Sequence, residues 1–214
     1  MNPSPSRAAE QLSLDTLIYD FTLLSCETIL RDRTSNVSPV GYQFNSIMES
    51  LEYCRQTILS WRKDIHKPLG FDIFIFDSIS QSSVLMERWK ISFQKVKETP
   101  KDYNRHLSFI SRRISTLIRT LHCFVRMLPG YNLVKTSRKV VYLSFHLYPL
   151  NETTQRQDNL VSFSHPPSLY KFTPVPTPKG LLSISVNYLN AHLLKVIFFL
   201  PRHFLLEVMS VAIV

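Results

Sequence analysis

The feature that most constrains the fold is a long amphipathic segment, residues 103–128. Its apolar residues are spaced alternately three and four apart, which predicts an α-helix with one apolar face. An amphipathic helix of this length must pack that face on a core, and the Pro129–Gly130 pair predicts where it ends. The apolar stripe consists of Leu107, Ile110, Ile114, Leu117, Leu121, Val125 and Leu128.

Arginine recurs every seven residues on the opposite face of the same helix. At about 100° per residue, such a stripe drifts only about 20° per heptad, so the guanidinium groups form a ladder. Arg suits bidentate recognition of carboxylate, phosphate or sulfate, so the ladder predicts an anion- or acidic-partner-binding site. The candidate binding residues are Arg105, Arg112, Arg119 and Arg126, together with Lys135 further along the chain.

The positive charge of the chain is concentrated in this region. Residues 103–151 contain eight Lys or Arg and no Asp or Glu. Residues 1–104 carry 12 basic and 13 acidic groups, whereas residues 105–214 carry 13 basic and 3 acidic groups. The net charge of +9 is therefore regional, which favours a site over a general solubility device.

A second interpretation of the arginine stripe is that it is a solvent-exposed helix face without a binding role. Its charges would pair with Asp or Glu from the first half of the chain, and surface pairs of this kind contribute little stability. Phe109 and Cys123 lie near the arginine face in the helical projection, which suggests that part of that face is covered.

Other segments predict two more helices and four strands. Helical spacing of apolar residues indicates helices, and runs rich in aromatic and β-branched residues indicate strands. Because these elements do not alternate as βαβ units, the predicted fold class is α+β. The helices are predicted at 12–30 and 44–61, and the strands at 71–77, 86–96, 139–148 and 180–188. Residues 78–83 would connect the first two strands, and a polar loop and a proline-rich segment would separate the last two.

Several kinds of chemical site are excluded or disfavoured. The three cysteines are too few and too scattered for a disulfide framework or a metal cluster, and they fit a reducing cytosolic setting. Four glycines leave no Walker-type or GxGxxG phosphate loop. His122 and His146 lack acidic or Cys partners at ligand spacing, so we expect core histidines instead of metal ligands.

The sequence also lacks the residue patterns of a catalytic site. No Ser, Cys or His has an activating neighbour pattern, and acidic residues are too scarce in the second half for a paired-carboxylate mechanism. We therefore expect a protein that is not an enzyme and that holds no cofactor or metal.

The expected domain organisation has three parts. Residues 1–11 form a flexible N-terminus without the apolar stretch of a secretory signal, residues 12–188 form the domain, and residues 189–214 form an atypical apolar tail. Each central charge in a spanning helix costs about 2.5–3.5 kcal/mol on the insertion scale, so the tail is a poor transmembrane candidate. Its interruptions are Lys195, Pro201, Arg202, His203 and Glu207.

Four segments resemble parts of the HORMA domain of autophagy-related protein 13, most closely plant members, and they follow the family's order along the chain. LIRTLHCFVRMLPGYNL is similar to a helix that runs into Leu-Pro-Ala-Tyr-x-Leu, with Gly130 in place of Ala. FTPVPTPKGLLSISVNY is similar to F-T-P-V-x-T-x-x-G-x-L-x-L-S-V-x-Y, and MERWKISFQ to E-R-W-x-V-x-Y. The N-terminal LIYDFTLLSCETILRDRTS resembles the opening helix of the family. The matching signature residues include Trp89, Pro129, Tyr131, Phe172, Val175, Thr177, Gly180 and Tyr188.

This resemblance implies a non-catalytic HORMA fold, with helices on a mostly antiparallel sheet and the long helix at its centre. It implies a regulatory adaptor of the autophagy-initiating Ser/Thr kinase complex, acting in autophagosome assembly through HORMA-mediated protein binding. The implied partners are the HORMA protein autophagy-related protein 101, autophagy-related protein 9 and the phosphatidylinositol 3-kinase complex. The implied location is the cytoplasm, with the phagophore assembly site on starvation. Some relatives carry an arginine-lined anion pocket, for which the arginine stripe is the candidate here.

One expectation concerns the C-terminal end of the chain. Relatives continue beyond the Tyr188 position into closing segments and a long Ser/Pro-rich tail that binds the kinase, so residues 189–214 are expected to derive from an alternative or truncated transcript or an imperfect gene model.

The alternative function is a basic nucleic-acid- or membrane-surface-binding module, whose affinity would fall steeply with salt. No RNP, KH, helix-turn-helix or zinc-finger signature accompanies the charge, so nucleic acid is not an expected partner.

Overall fold

The protein folds as a layer of helices on one face of an antiparallel sheet. The computed structural model describes residues 5–34, 43–77, 82–95, 107–136, 142–150, 161–192 and 194. The helices are α1 (Pro5–Thr34), α2 (Gln43–Trp61), α3 (Leu107–Met127) and α4 (Pro129–Thr136), and a 3₁₀ turn covers Arg62–Asp64. The strands are β1 (Leu69–Asp77), β2 (Ser82–Lys95), β3 (Tyr142–Pro149), β4 (Ser168–Lys171), β5 (Val175–Thr177) and β6 (Gly180–Tyr188).

The sheet has the strand order β3-β1-β2-β6-β4, and β5 also pairs with β6. All of these pairings are antiparallel. A bulge in β2 lies opposite the Ile73/Phe74 step of β1, and the carbonyl of Met86 there accepts the N–H of Leu189 at 3.0 Å. Successive side chains alternate between the two faces, so Phe71, Trp89 and Ile184 all point toward the helices and are buried.

The helices cover that face because each has an apolar stripe. α1 contacts α2, α3 and α4, and α3 also contacts β5. Leu14, Ile18, Phe21 and Ile29 of α1 are buried at the spacing that the sequence predicted, while Leu24 is exposed. The α+β architecture is confirmed. No helix in the described part of the chain is long and apolar enough to cross a membrane.

A buried ion pair joins the helices to the sheet. Arg33, in the last turn of α1, donates to Oε1 of Glu87 on β2 from Nε at 3.0 Å and from Nη2 at 2.7 Å. The same guanidinium donates to the carbonyl of Val125 in α3, and Nε1 of Trp89 donates to Oε2 of Glu87 at 2.9 Å. Both charged side chains are 1% exposed. One guanidinium thus links two helices to the central strand, and the indole completes the bonding of the carboxylate.

Several predicted boundaries are corrected by the structure. α1 begins at Pro5 instead of Leu12, so residues 5–11, expected in a flexible terminus, are helical. The proline-rich segment before β6 contains two additional short strands, β4 and β5. Short strands with few side chains facing the core carry little periodic signal, which is why alternation did not reveal them. The polar loop at 151–159 and most of the apolar tail lie outside the described residues.

Removing one partner of the buried ion pair should destabilise the domain strongly. Arg33→Met leaves the Glu87 carboxylate charged and without its guanidinium, which we expect to cost about 3–5 kcal/mol of unfolding free energy. The measurement is urea denaturation followed by circular dichroism. Arg33→Met combined with Glu87→Gln should cost less than Arg33→Met alone, because no unpaired charge is then buried.

The matched control is Arg31→Met, two residues earlier in α1, where the side chain is 64% exposed. We expect it to change the unfolding free energy by less than about 1 kcal/mol, as for other surface ion pairs. Equal losses for Arg31→Met and Arg33→Met would contradict a structural role for the buried pair.

Candidate partner-binding face of the long helix

The α3 helix presents one buried and one exposed face, as its sequence predicted. Ile110, Ile114, Leu117, Leu121 and Val125 are at most 6% exposed and belong to the core. The opposite face is open to solvent along the helix. Its exposed Ser and Thr hydroxyls donate to carbonyls one turn earlier in the same helix, which leaves the longer charged side chains as the groups that project outward.

The arginine stripe divides into three parts. Arg112 and Arg119 are exposed, and within the described residues neither forms an ion pair. Arg126 lies at the C-terminal end of α3, and Arg105 lies outside the described residues. No Asp or Glu occurs among the described residues from 107 to 194, so any intramolecular partner must come from the first half of the chain.

Asp32 of α1 is that partner for the end of the stripe. Nε of Arg126 lies 3.4 Å from both carboxylate oxygens of Asp32, and Nδ1 of His122 lies 3.4 Å from Oδ2. The Asp32 side chain is 11% exposed, whereas that of Arg126 is 50% exposed. The solvated, internally paired interpretation therefore applies to Arg126. Arg112 and Arg119 remain the part of the ladder that can bind an external anion.

Apolar side chains next to the arginines are also exposed, which corrects an expectation. Phe109 is 36% exposed and Met127 is 75% exposed, and Cys123 lies on the surface as well. The guanidinium of Arg113 stacks over the Phe109 ring at 4.9 Å. The prediction that Phe109 and Cys123 mark a covered region is wrong within this structure, because no described element packs over this side of α3.

The two histidines are surface residues instead of core residues. The side chain of His122 is 48% exposed and contacts Asp32, and His146 is exposed and stacks on Tyr148 at 5.0 Å. The sequence argument failed because apolar neighbours in the chain belong to the opposite face of the helix or strand. Among the described residues, no group of three or more His, Cys, Asp or Glu is arranged to hold a metal ion.

Lys135 lies on α4 and not on the α3 stripe. Its ammonium group sits over the ring of Tyr131 at 4.8 Å, an i, i+4 cation–π contact within that helix. The sequence predicted that the long helix ends at Pro129–Gly130, and it predicted no second helix directly after that point. Instead, Pro129 opens α4, because proline is favoured in the first turn of a helix, where its missing N–H is not needed.

Three aromatic signature residues, Trp89, Phe172 and Tyr188, belong to a cluster beside α3. The ring of Phe172 stacks near Trp89 at 6.5 Å and meets Phe124 of α3 edge-on at 5.2 Å. Phe124 also stacks on Tyr170 at 4.1 Å and contacts Tyr188 at 6.4 Å. These contacts hold the β4–β6 part of the sheet against the long helix, so these three residues stabilise the packing of α3 and do not belong to its arginine face.

The T-x-x-G signature is a hairpin turn. The hydroxyl of Thr177 donates to the carbonyl of Gly180 at 2.9 Å and accepts the N–H of Gly180 at 3.2 Å. A Cβ at residue 180 would collide with the backbone carbonyl of Gln94 in the adjacent strand. Only glycine therefore allows β6 to begin in register with β2. Val175, the first residue of β5 and two residues before Thr177, is 4% exposed and joins the core.

A cavity lies among the described residues on the helix-covered side of the sheet. It has a volume of about 260 Å³ and lies between α1, α2 and the β1–β3 edge of the sheet. It is mostly apolar, and no sequence motif pointed to it. Its lining residues are Leu30, Arg33, Ser50, Ile73, Leu143, Ser144 and Phe145.

The fold matches a known structural class. The structure of an Atg13 HORMA domain superposes with a TM-score of 0.51 at 18% identity, covering 84% of this chain and 94% of that one. A chain of a mitotic checkpoint complex (14% identity, 82% and 95% coverage) and C. elegans HTP-1 bound to a HIM-3 closure motif (8% identity, 82% and 90% coverage) give lower TM-scores of 0.47 and 0.48. The first of these matches shows a HORMA fold.

The sequence places the chain within that class. Residues 75–192, which run from within β1 to just beyond β6, match the profile of autophagy-related protein 13. The chain belongs to the autophagy-related protein 13 family, as its sequence motifs implied. A search of curated protein sequences gave no significant match.

Gly130 departs from the Ala of the family motif, and the structure explains the departure. A Cβ at this position would lie 2.5 Å from Oε1 of Glu87 and 2.7 Å from Cε of Met86. We expect Gly130→Ala to cost about 1–3 kcal/mol through overpacking, despite the better helix propensity of Ala. Denaturant unfolding measures this, with the exposed Met127→Ala as control; a stabilised Gly130→Ala variant would contradict the packing argument.

Proposed function

We propose that this chain is a non-catalytic adaptor of the autophagy-initiating Ser/Thr kinase complex, and that the outer face of α3 binds an acidic partner surface. The observation that carries the proposal is the pair Arg112 and Arg119, two exposed cations one heptad apart with no ion-pair partner among the described residues. Family membership supports a role in autophagy, and the basic face supports protein binding as the means.

The composition of the face supports a protein partner. Protein interfaces are enriched in aromatic residues, Met and Arg and depleted in Lys. α3 carries four arginines and no lysine, and its exposed large apolar residues are Phe109 and Met127. Both lie beside the arginine stripe, so a partner could bury them at the same time as it pairs with the guanidinium groups.

The proposed partner is the HORMA protein autophagy-related protein 101. Recruitment of autophagy-related protein 9 and the phosphatidylinositol 3-kinase complex, at the phagophore assembly site in starved cells, would follow from that docking. No cofactor is proposed. α3 itself carries no Asp or Glu, and Asp32 pairs only with the C-terminal end of its arginine stripe, so the field of Arg112 and Arg119 attracts an anionic surface and repels a second copy of the same face.

Charge reversal on the face should weaken partner binding without unfolding the domain. Arg112→Glu combined with Arg119→Glu should reduce affinity for purified autophagy-related protein 101 by about tenfold or more, because two attractive contacts become repulsive. Isothermal titration calorimetry measures the affinity. Neither residue holds an ion pair with a described residue, so circular dichroism and the melting temperature should stay unchanged.

The matched control is Lys63→Glu combined with Lys179→Glu, which changes the net charge equally at exposed positions outside α3. It should bind as the wild type does. Equal loss in both double variants would indicate a general charge effect, and undiminished binding by the α3 variant would remove Arg112 and Arg119 from the interface.

A parallel titration tests the nucleic-acid or membrane alternative. Duplex DNA, single-stranded RNA and anionic vesicles are titrated with the wild-type chain across a salt series. The adaptor proposal predicts no binding to any of them at moderate salt. Tight, strongly salt-dependent binding that Arg112→Glu and Arg119→Glu abolish would favour the alternative.

A further inference from the structure

Two thiols meet in the interior between α1 and α2. Cys26 and Cys54 are both 0% exposed and belong to the same apolar core. The neighbouring Cys54 thiol, together with burial, raises the pKa of the Cys26 thiol well above its ordinary value. Cys123, on the surface of α3, is the other described cysteine and has no thiol neighbour.

An ion pair on the neighbouring residues keeps the two thiols opposite each other. Glu27 follows Cys26 on α1, and Arg55 follows Cys54 on α2. Nε of Arg55 donates to Oε1 of Glu27 at 3.0 Å, and Nη2 lies 2.9 Å from the same oxygen. This contact holds the register of the two helices at the level of the cysteines, independently of the thiols themselves.

Simple packing does not account for the arrangement completely. Buried cysteine often serves as a small apolar residue, and either residue alone would need no other explanation. Two buried cysteines on consecutive helices that pack together also place two oxidisable sulfur atoms where a single bond can join them. Disulfide formation requires closely spaced Cβ atoms, and the Glu27–Arg55 contact on the adjoining residues holds the two helices together at this level.

We propose that Cys26 and Cys54 are a redox-active pair that forms an intramolecular disulfide and thereby fastens α2 to α1. The oxidant is a hydroperoxide. One thiol is oxidised to a sulfenic acid with release of water, and the second sulfur then attacks it and displaces a second water molecule. Two thiols and one hydrogen peroxide therefore yield one disulfide and two waters.

Burial sets the condition under which this reaction proceeds. The thiolate is the nucleophile, and the interior holds Cys26 in its protonated form, so the closed domain reacts slowly. A transient separation of α2 from α1 exposes both sulfurs, and closure then brings them together again. The disulfide would therefore fix the closed arrangement of the two helices, next to the cavity that α1, α2 and the sheet enclose.

The test uses the full chain with Cys123→Ser, which removes the surface thiol and keeps the buried pair. The protein is treated with hydrogen peroxide in native buffer and at a urea concentration below the unfolding transition. Peptide mass spectrometry detects the linkage, and thiol labelling after denaturation counts the remaining free cysteines. The expected product contains a Cys26–Cys54 peptide two hydrogens lighter than its parts, is reversed by dithiothreitol, and melts at a higher temperature than the reduced protein.

Sub-denaturing urea should accelerate the reaction several-fold, because it increases the population of the open form. Cys26→Ala and Cys54→Ala, each in the Cys123→Ser background, should show no linked peptide. If a core alanine variant fails to fold, the peptide map of the parent protein still decides the result. Oxidation of either cysteine to sulfinic acid without linkage, unreacted thiols in both buffers, or linkage only after complete unfolding would each overturn the proposal.

Discussion

The buried pair of Arg33 and Glu87 is the interaction on which the arrangement of the domain depends. Arg33 reaches from the end of α1 to the central strand β2 and also donates to a carbonyl of α3. A buried charge without its partner is costly, so α1, α3 and the sheet must come together in one register. Gly130 belongs to the same constraint, because a side chain there would occupy the space of the Glu87 carboxylate.

This constraint also determines which part of α3 faces solvent. With its apolar stripe on the core and α1 along one side, the helix can expose only the arginine face. Asp32, the neighbour of Arg33 in α1, then meets Arg126 and His122 as a consequence of the same docking. The remaining ladder, Arg112 and Arg119, is left without a described acidic neighbour and supplies the charge for the proposed partner contact.

Periodic features were predictable, and contacts between distant segments were not. The helical stripe of α3 and the strand β6 follow the sequence prediction because each has many residues that repeat one local pattern. The helical state of residues 129–136 and the exposure of His122 and His146 did not follow, since both depend on which neighbouring element packs where. The arginine ladder could be placed on one face of the helix, but its division at Asp32 could not.

The sequence by itself determined the α+β class, the amphipathic long helix and the family, because periodicity, charge and motif order are properties of the chain alone. Only the tertiary structure decided that Arg126 is compensated while Arg112 and Arg119 are exposed without a described ion-pair partner, that Arg33 is a core residue, and that Cys26 meets Cys54. Each of these depends on residues far apart in the chain. Their distances are set by helix docking on the sheet, and no local pattern encodes them.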